Sequence, residues 1–512
     1  MRRALPFHPV LIASFPILSL YSANLGMFNS ADLWQPLGVA VGMTIIAWAL
    51  TAFLWRDIER GAMGASALVV CTILYGQVFH APAGALTLVA WGTFAICAVA
   101  LVSWKLKGTA ILNVLGFFLI VSSVGSIIYR TVNAPTPDRA RRLPIQGRSA
   151  DVHSPDVYYI ILDGYGREDS LKQFIQFSND DFLAQLKKRG FFIADRSHSN
   201  YVQTEISIPS SLNLNFIPTI LPSVPNWETH RTSLDHLMRD NEASRQFKAR
   251  GYSTSIVTSG FPPFDRLPAD EEFHEKPDKT LFESTLSQSS PLASKRSDDA
   301  MYAQRREELV NAFDALRAMG GRRSTPRFVF AHILAPHPPF VFDAAGRPIR
   351  PTYTFGIWDG SDFVGAGATR EEYRKGYSGQ VQTVNREILK AIDAILAKPG
   401  VRPIIILQGD HGSKRYLDQN VLAKTDVREC FSNLFALLAP PEVQKLAYPS
   451  ITPVNELRIV LNGLFDAKLP LLSDQSWYSP YAKPFFFTDV TQEVVEYANG
   501  VPSEVSKPSP SN

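Results

Sequence analysis

The sequence predicts an α-helical membrane domain of five spans followed by an α/β domain with a mostly parallel sheet. Three observations carry this expectation. Residues up to about Tyr129 are almost uncharged between short polar breaks. The remainder has the mixed charge and scattered Pro and Gly of a soluble domain, and within it β-branched and aromatic runs alternate with helical patterns. At 512 residues the chain also exceeds one ordinary hydrophobic core, so at least two units follow from length alone.

The five spans read as Pro9 to Leu25, Leu37 to Trp55, Gly61 to Phe79, Ala83 to Trp104 and Gly108 to Tyr129, each near the roughly 20 residues that cross a hydrocarbon core. The first carries two Ser near its end and stops close to Asn24. A cleaved signal peptide is not expected there, because no small-residue cleavage site precedes a polar start and further spans follow. Basic residues set the orientation. Arg2 and Arg3 precede the first span, Arg56 and Arg60 follow the second, Lys105 and Lys107 follow the fourth, and the loops Gly26 to Pro36 and His80 to Pro82 carry neither Lys nor Arg. The positive-inside rule then puts the N-terminus inside and everything after Tyr129 outside. The expected divisions are a transmembrane domain over 1–129, a Pro- and Arg-rich linker over 130–151 that is solvated or rests on anionic head groups, a domain over 152–500, and a disordered Pro/Ser tail over 501–512.

A net charge of +3, with no basic helix or Lys/Arg run, excludes nucleic acid as the expected partner. Of the 3 cysteines, Cys71 and Cys97 lie in apolar runs and Cys430 stands alone in the soluble part. No disulfide framework can be drawn, and Cys430 reads as a small buried hydrophobe.

In the second part, Asp156 to Leu162 is a continuous apolar run, as expected of a strand buried on both faces of a parallel sheet. A helix is expected over 170–188, strands over 253–258, 327–334 and 403–407, and a helix over 373–396. Ligands in such sheets bind beyond the carboxyl ends of the strands. Asp163 follows the first strand, His337 lies just past the third in Ala335-Pro-His-Pro-Pro-Phe340, and Asp410-His411-Gly412 follows the fourth. Singly, such residues also serve as helix caps and turns. Together, two carboxylates and one or two imidazoles form a divalent-cation site suited to zinc, manganese or magnesium.

This combination resembles the sulfatase-like branch of the alkaline phosphatase superfamily, and within it the membrane phosphoethanolamine transferases and lipoteichoic acid synthases. Those families also place five spans before an external catalytic domain, so the resemblance covers nearly the whole chain and implies an alkaline phosphatase-like fold. Asp163 stands where their first acidic metal ligand follows the opening strand, and Asp410 with His411 stands at their Asp-His-Gly motif. His332 with Pro336-His337-Pro338 resembles their substrate-side histidine segment. Their nucleophile is a Thr ahead of Ser-x-Pro, here Thr204, Ser207 and Pro209. The sulfatases instead oxidise a Cys or Ser followed by x-Pro-Ser-Arg, which Ser207 to Ser211 fits except for the Arg. Both hydroxyls also suit simple helix capping.

The resemblance implies one divalent metal ion, zinc or manganese, on Asp163, Thr204, Asp410 and His411. No His follows His411, so the late histidine of two-metal members is absent, and so are the disulfides of many phosphoethanolamine transferases. His332, His337, Lys414 and Arg415 are the expected substrate-binding residues, with His337 also catalytic. Trp358 and Asp359 could line the pocket, without an assigned role. The expected activity is a metal-dependent transferase that moves a phosphate-containing head group from a membrane phospholipid to an envelope glycan or lipid through a phosphothreonine. The alternative is a sulfatase or phosphoesterase. The expected location is a bacterial inner membrane, multi-pass, with the catalytic domain periplasmic or extracellular.

Overall fold

The structure is a computed structural model that describes residues 5–78, 85–105, 108–136, 142–151, 153–265, 267–273, 280–288, 295–321 and 324–500. Arg2, Arg3, Lys107, the loop at His80 to Pro82, part of the linker and the 501–512 tail lie outside the described residues. The chain divides into two compact units, Met1–Ala134 with Asp278–Met301, and Pro135–Pro277 with Tyr302–Asn512.

The first unit contains α1 (His8–Ala23), α2 (Trp34–Trp55), α3 (Ile58–Val78), α4 (Ala85–Lys105) and α5 (Thr109–Asn133). Four of these, α2 to α5, are long and apolar enough to cross a membrane. The fifth apolar helix, α1, lies where the first span is expected and is shorter at 16 residues. It stops at Asn24, whose backbone and side-chain amides both donate back to the Leu20 carbonyl, so the helix ends on a polar cap rather than running on. Apolar side chains such as Ile46, Phe53, Ile96 and Phe118 point outward, the arrangement a lipid solvent favours. The helix Leu281–Gln288 belongs to this unit, although 152–500 reads as a single domain in sequence. Phe282 is the reason, because it is fully buried and meets Phe28 and Tyr21 edge-on with centroids 5.0 and 6.2 Å away.

The second unit is built on a seven-stranded sheet of order β2-β7-β6-β1-β5-β3-β4. The strands are β1 (Val157–Leu162), β2 (Phe192–Ile193), β3 (Ser253–Val257), β4 (Glu271–Phe273), β5 (Arg327–Ile333), β6 (Ile404–Gln408) and β7 (Phe435–Leu438). Only β7 runs against its neighbours, pairing antiparallel with β6 and β2, so the sheet is mostly parallel. The four strands read from sequence agree within a residue, whereas the short β2, β4 and β7 carry too few alternations to be read.

The helix expected over 170–188 is two pieces, a wide turn at Leu171–Ile175 and a helix at Asp180–Lys188. Asn179 causes the break, because its side chain is buried between the Tyr165 hydroxyl at 2.8 Å and Asn385 at 2.7 Å. The long helix Arg370–Leu396 starts three residues before the expected Tyr373, on a capping box between Thr369 and Glu372. β1 is flanked by β5 and β6 in a register that pairs Ile161 with both His332 and Gln408. The carboxyl ends of these three central strands therefore finish level with one another.

Candidate functional site

Asp163 is the first residue past β1 and is 1 % exposed, its amide donating to the Ile333 carbonyl at 2.9 Å. Two residues past β6 comes Asp410, whose Oδ1 accepts from the Gly164 amide at 2.9 Å and so ties the two strand-end loops together. His411 donates from Nδ1 to the Gly412 carbonyl at 2.8 Å, which leaves Nε2 as the free lone pair facing the carboxylates. The glycine of this motif is dictated by packing, since a Cβ at Gly412 would lie 2.1 Å from the Glu429 carbonyl oxygen.

The ligand atoms of Asp163, Asp410 and His411 lie within 4.8 Å of one another, and all three residues are buried. Asp163 Oδ1 and Asp410 Oδ2 accept no hydrogen bond among the described residues. Buried oxygens without donors are costly unless a cation meets them, so the set fits a divalent ion. Electrostatics agree. Burial and the Asp163 charge drive the Asp410 carboxyl well above the usual carboxylate range. Burial also works to raise Asp163, but His337 and the hydrogen bond to His332 outweigh it and hold that carboxyl low. Burial and the Lys414 charge keep the His411 imidazole unprotonated, as a ligand must be.

Thr204 opens the helix Thr204–Leu212, and its hydroxyl sits 2.9 Å from His411 Nε2, beside the carboxylate set. Neither hydroxyl of this segment caps the helix, whose N-cap residue is Gln203. That residue is held by its amide donating to the Ser479 carbonyl at 2.8 Å and by Arg231 donating to its oxygen at 2.8 Å. Ser207, one turn on, donates to the Asp410 backbone carbonyl at 2.7 Å and is thereby occupied.

The other expected residues separate. His332 lies inside β5, 1 % exposed, with Nε2 3.0 Å from Asp163 Oδ2. The strand register places it against the Asp163 carboxylate. The Arg415 guanidinium donates to the carbonyls of Arg370 at 3.0 Å and Phe174 at 2.8 Å. His337 and Lys414 come together on Asp359, at 3.3 Å and 3.6 Å from its Oδ2. Asp359 is the residue whose part the sequence left open. Its one local signal is an Asp-Gly step opening the helix Gly360–Gly365, which names a cap and not a site. Trp358 is 40 % exposed.

No protein-family model matches the chain, and a search of the curated proteins finds no match. Solved structures do match. The chain is similar to the C-terminal periplasmic domain of EcEptC from Escherichia coli in complex with Zn, at 13 % identity and TM-score 0.42, covering 68 % of this chain and 96 % of that one. It is similar to the integral membrane protein lipooligosaccharide phosphoethanolamine transferase A (EptA) from Neisseria meningitidis, at 14 % identity and TM-score 0.38, covering 89 % of this chain and 95 % of that one. It is also similar to BT1596, a 2-O GAG sulfatase, at 14 % identity and TM-score 0.39, covering 63 % of this chain and 72 % of that one.

Proposed function

We propose that this chain is a membrane-tethered transferase that moves a phosphate-containing head group from a membrane phospholipid to a hydroxyl of an envelope glycan or lipid, through a phosphothreonine at Thr204. The observation that carries this reading is the Thr204 hydroxyl, aimed at His411 within the buried Asp163, Asp410 and His411 set. Ser207, which a sulfatase would have to oxidise, is instead engaged with the Asp410 carbonyl. The apolar helices α2 to α5 support a lipid donor, since a chain carrying its own spans meets such a donor at high effective concentration.

Asp163, Asp410, His411 and the Thr204 oxygen would hold one divalent ion, zinc or manganese. Such an ion supplies positive charge that lowers the pKa of a nearby hydroxyl and neutralises phosphate oxygens. His332 keeps Asp163 oriented toward the set. In the first half-reaction Thr204, its hydroxyl proton released to solvent beforehand, attacks phosphorus as the alkoxide, the bond from phosphorus to the lipid oxygen breaks, and His337 gives that oxygen a proton; the alkoxide is regenerated when the bond to Thr204 breaks in the second half. In the second half, the acceptor hydroxyl attacks phosphorus and returns a proton to His337 as the bond to Thr204 breaks. The catalytic domain works outside the cytoplasm in this reading, at a bacterial inner membrane.

The test is incubation of the detergent-purified full chain with head-group-labelled phospholipids and, separately, with sulfate esters, followed by mass spectrometry. The expected products are diacylglycerol and a labelled Thr204 peptide. Release of free sulfate, with no label on the protein at any time, would assign the site to ester hydrolysis instead.

A further inference from the structure

Beside the metal-type set lies a second buried cluster that the mechanism uses only in part. Lys414 is 5 % exposed, and its ammonium has Asp359 as ion-pair partner among the described residues. His337 is 6 % exposed, with Nδ1 facing the Pro338 carbonyl at 2.5 Å and Nε2 facing Asp359 Oδ2. A single carboxylate oxygen thus faces two donor side chains, one from the segment after β5 and one from the loop after β6. Asp359 is itself fixed. Its Oδ1 accepts from the Gly360 amide at 2.9 Å, and its carbonyl accepts from the Gln419 amide side chain at 3.0 Å. It lies outside the Asp163, Asp410 and His411 group.

We propose that Asp359 is a positioning residue that, braced by His337, holds the Lys414 ammonium as a donor for the oxyanion of a phosphate ester. The inference rests on the phosphate-ester reading above. An ammonium on a flexible four-carbon stem is poorly preorganised, and one carboxylate oxygen limits that disorder by ion pairing at 3.6 Å, longer than a hydrogen bond. Its N–H donors stay available to an anion. Without Asp359, a nearly buried ammonium has no counter-charge and turns toward solvent, away from the site.

The experiment uses the full chain in detergent, loaded with zinc, and titrates inorganic phosphate by calorimetry into wild type, Asp359→Asn, Lys414→Met and the double variant. Asparagine keeps an acceptor oxygen for the Gly360 amide, so the helix start is preserved while the charge is lost. Each single change is expected to weaken phosphate binding roughly tenfold or more, the scale of a hydrogen bond to a charged group. Because Asp359 acts through Lys414, the double variant should be weakened by far less than the product of the two single effects. Zinc content of Asp359→Asn should match wild type, while its melting temperature should fall through the unpaired ammonium and recover in the double variant. Wild-type phosphate affinity in Asp359→Asn, fully multiplicative effects in the double variant, or loss of zinc would each overturn the proposal. If wild type itself bound no phosphate, the phosphate-ester reading would fall with it; wild-type binding left intact by Asp359→Asn would overturn this proposal alone.

Discussion

Thr204 and Ser207 sit one helical turn apart, yet their hydroxyls serve different groups, one beside the His411 imidazole and the other on the Asp410 backbone. Thr204→Ala is therefore expected to abolish turnover, while Ser207→Ala should keep a measurable fraction, its loss costing about 1 kcal/mol of stability as a hydrogen bond. Rate measurement on both variants decides the point, and activity that survives in Thr204→Ala but vanishes in Ser207→Ala would reverse the assignment. Glu429 makes a second residue-scale prediction. It is buried, accepts from the Ser413 hydroxyl and from the Arg415 and Tyr416 amides, and braces the loop that carries His411 and Lys414. Burial pushes its carboxyl up to about 7 from 4.5. The native state thus binds the proton more tightly than the unfolded chain, so the stability it contributes is present below pH 4.5 and is lost as pH rises through about 7. The slope corresponds to at most about 3 kcal/mol across that window. Half-buried Asp265 is pushed to about 7 as well by desolvation and titrates in parallel. Melting temperatures of wild type and Glu429→Gln between pH 4.5 and 8 should therefore converge at low pH and separate as pH rises, with the variant falling less. Parallel curves would show that Glu429 does not titrate there.

Among the elements, α2 and α3 form the closest-packed pair of apolar helices for which a single position can be tested. A Cβ at Gly61 would lie 2.4 Å from the Ala52 Cα, and the Gly61 carbonyl accepts from the Thr51 hydroxyl at 2.8 Å. Small residues let helix backbones approach where no water drives them together. Gly61→Leu must separate the pair and is expected to cost at least 1–3 kcal/mol, the usual scale of overpacking. Gly92 on α4 has nothing within 4 Å of an added Cβ, so Gly92→Leu is the matched control and should melt like wild type. Equal melting of the two variants in detergent would contradict this packing. The same scale explains which elements were legible in sequence. β1, β5 and β6 are buried on both faces along their length, and so appear as unbroken apolar runs. β2 has two residues and β4 has three, and the break at Asn179 depends on Asn385, more than two hundred residues away in sequence. Local patterns do not contain such partners.

For the whole molecule, the charge asymmetry across the apolar helices predicts that Arg56 and Lys105 face the cytoplasm and that residues from Arg130 onward face outward. Alkaline phosphatase fused after Asp151 should be active, and a strongly active cytoplasmic reporter at that junction would reject the orientation. The sequence by itself determined the apolar first part and the mostly parallel α/β second part, because each follows from a local period, and it singled out Asp163, Asp410 and His411 as candidates at strand ends and Thr204 through the family resemblance. Tertiary structure alone decided what those residues do to one another. It placed His332 on Asp163, turned Arg415 to backbone carbonyls, and joined His337 and Lys414 on Asp359. It also grouped residues 278–301 with the N-terminal helices, through the burial of Phe282. The physical reason is common to all four. Periodicity reports which face of an element is buried, whereas the partner of a buried polar or aromatic side chain is set by strand order and register, which bring distant segments within hydrogen-bonding reach.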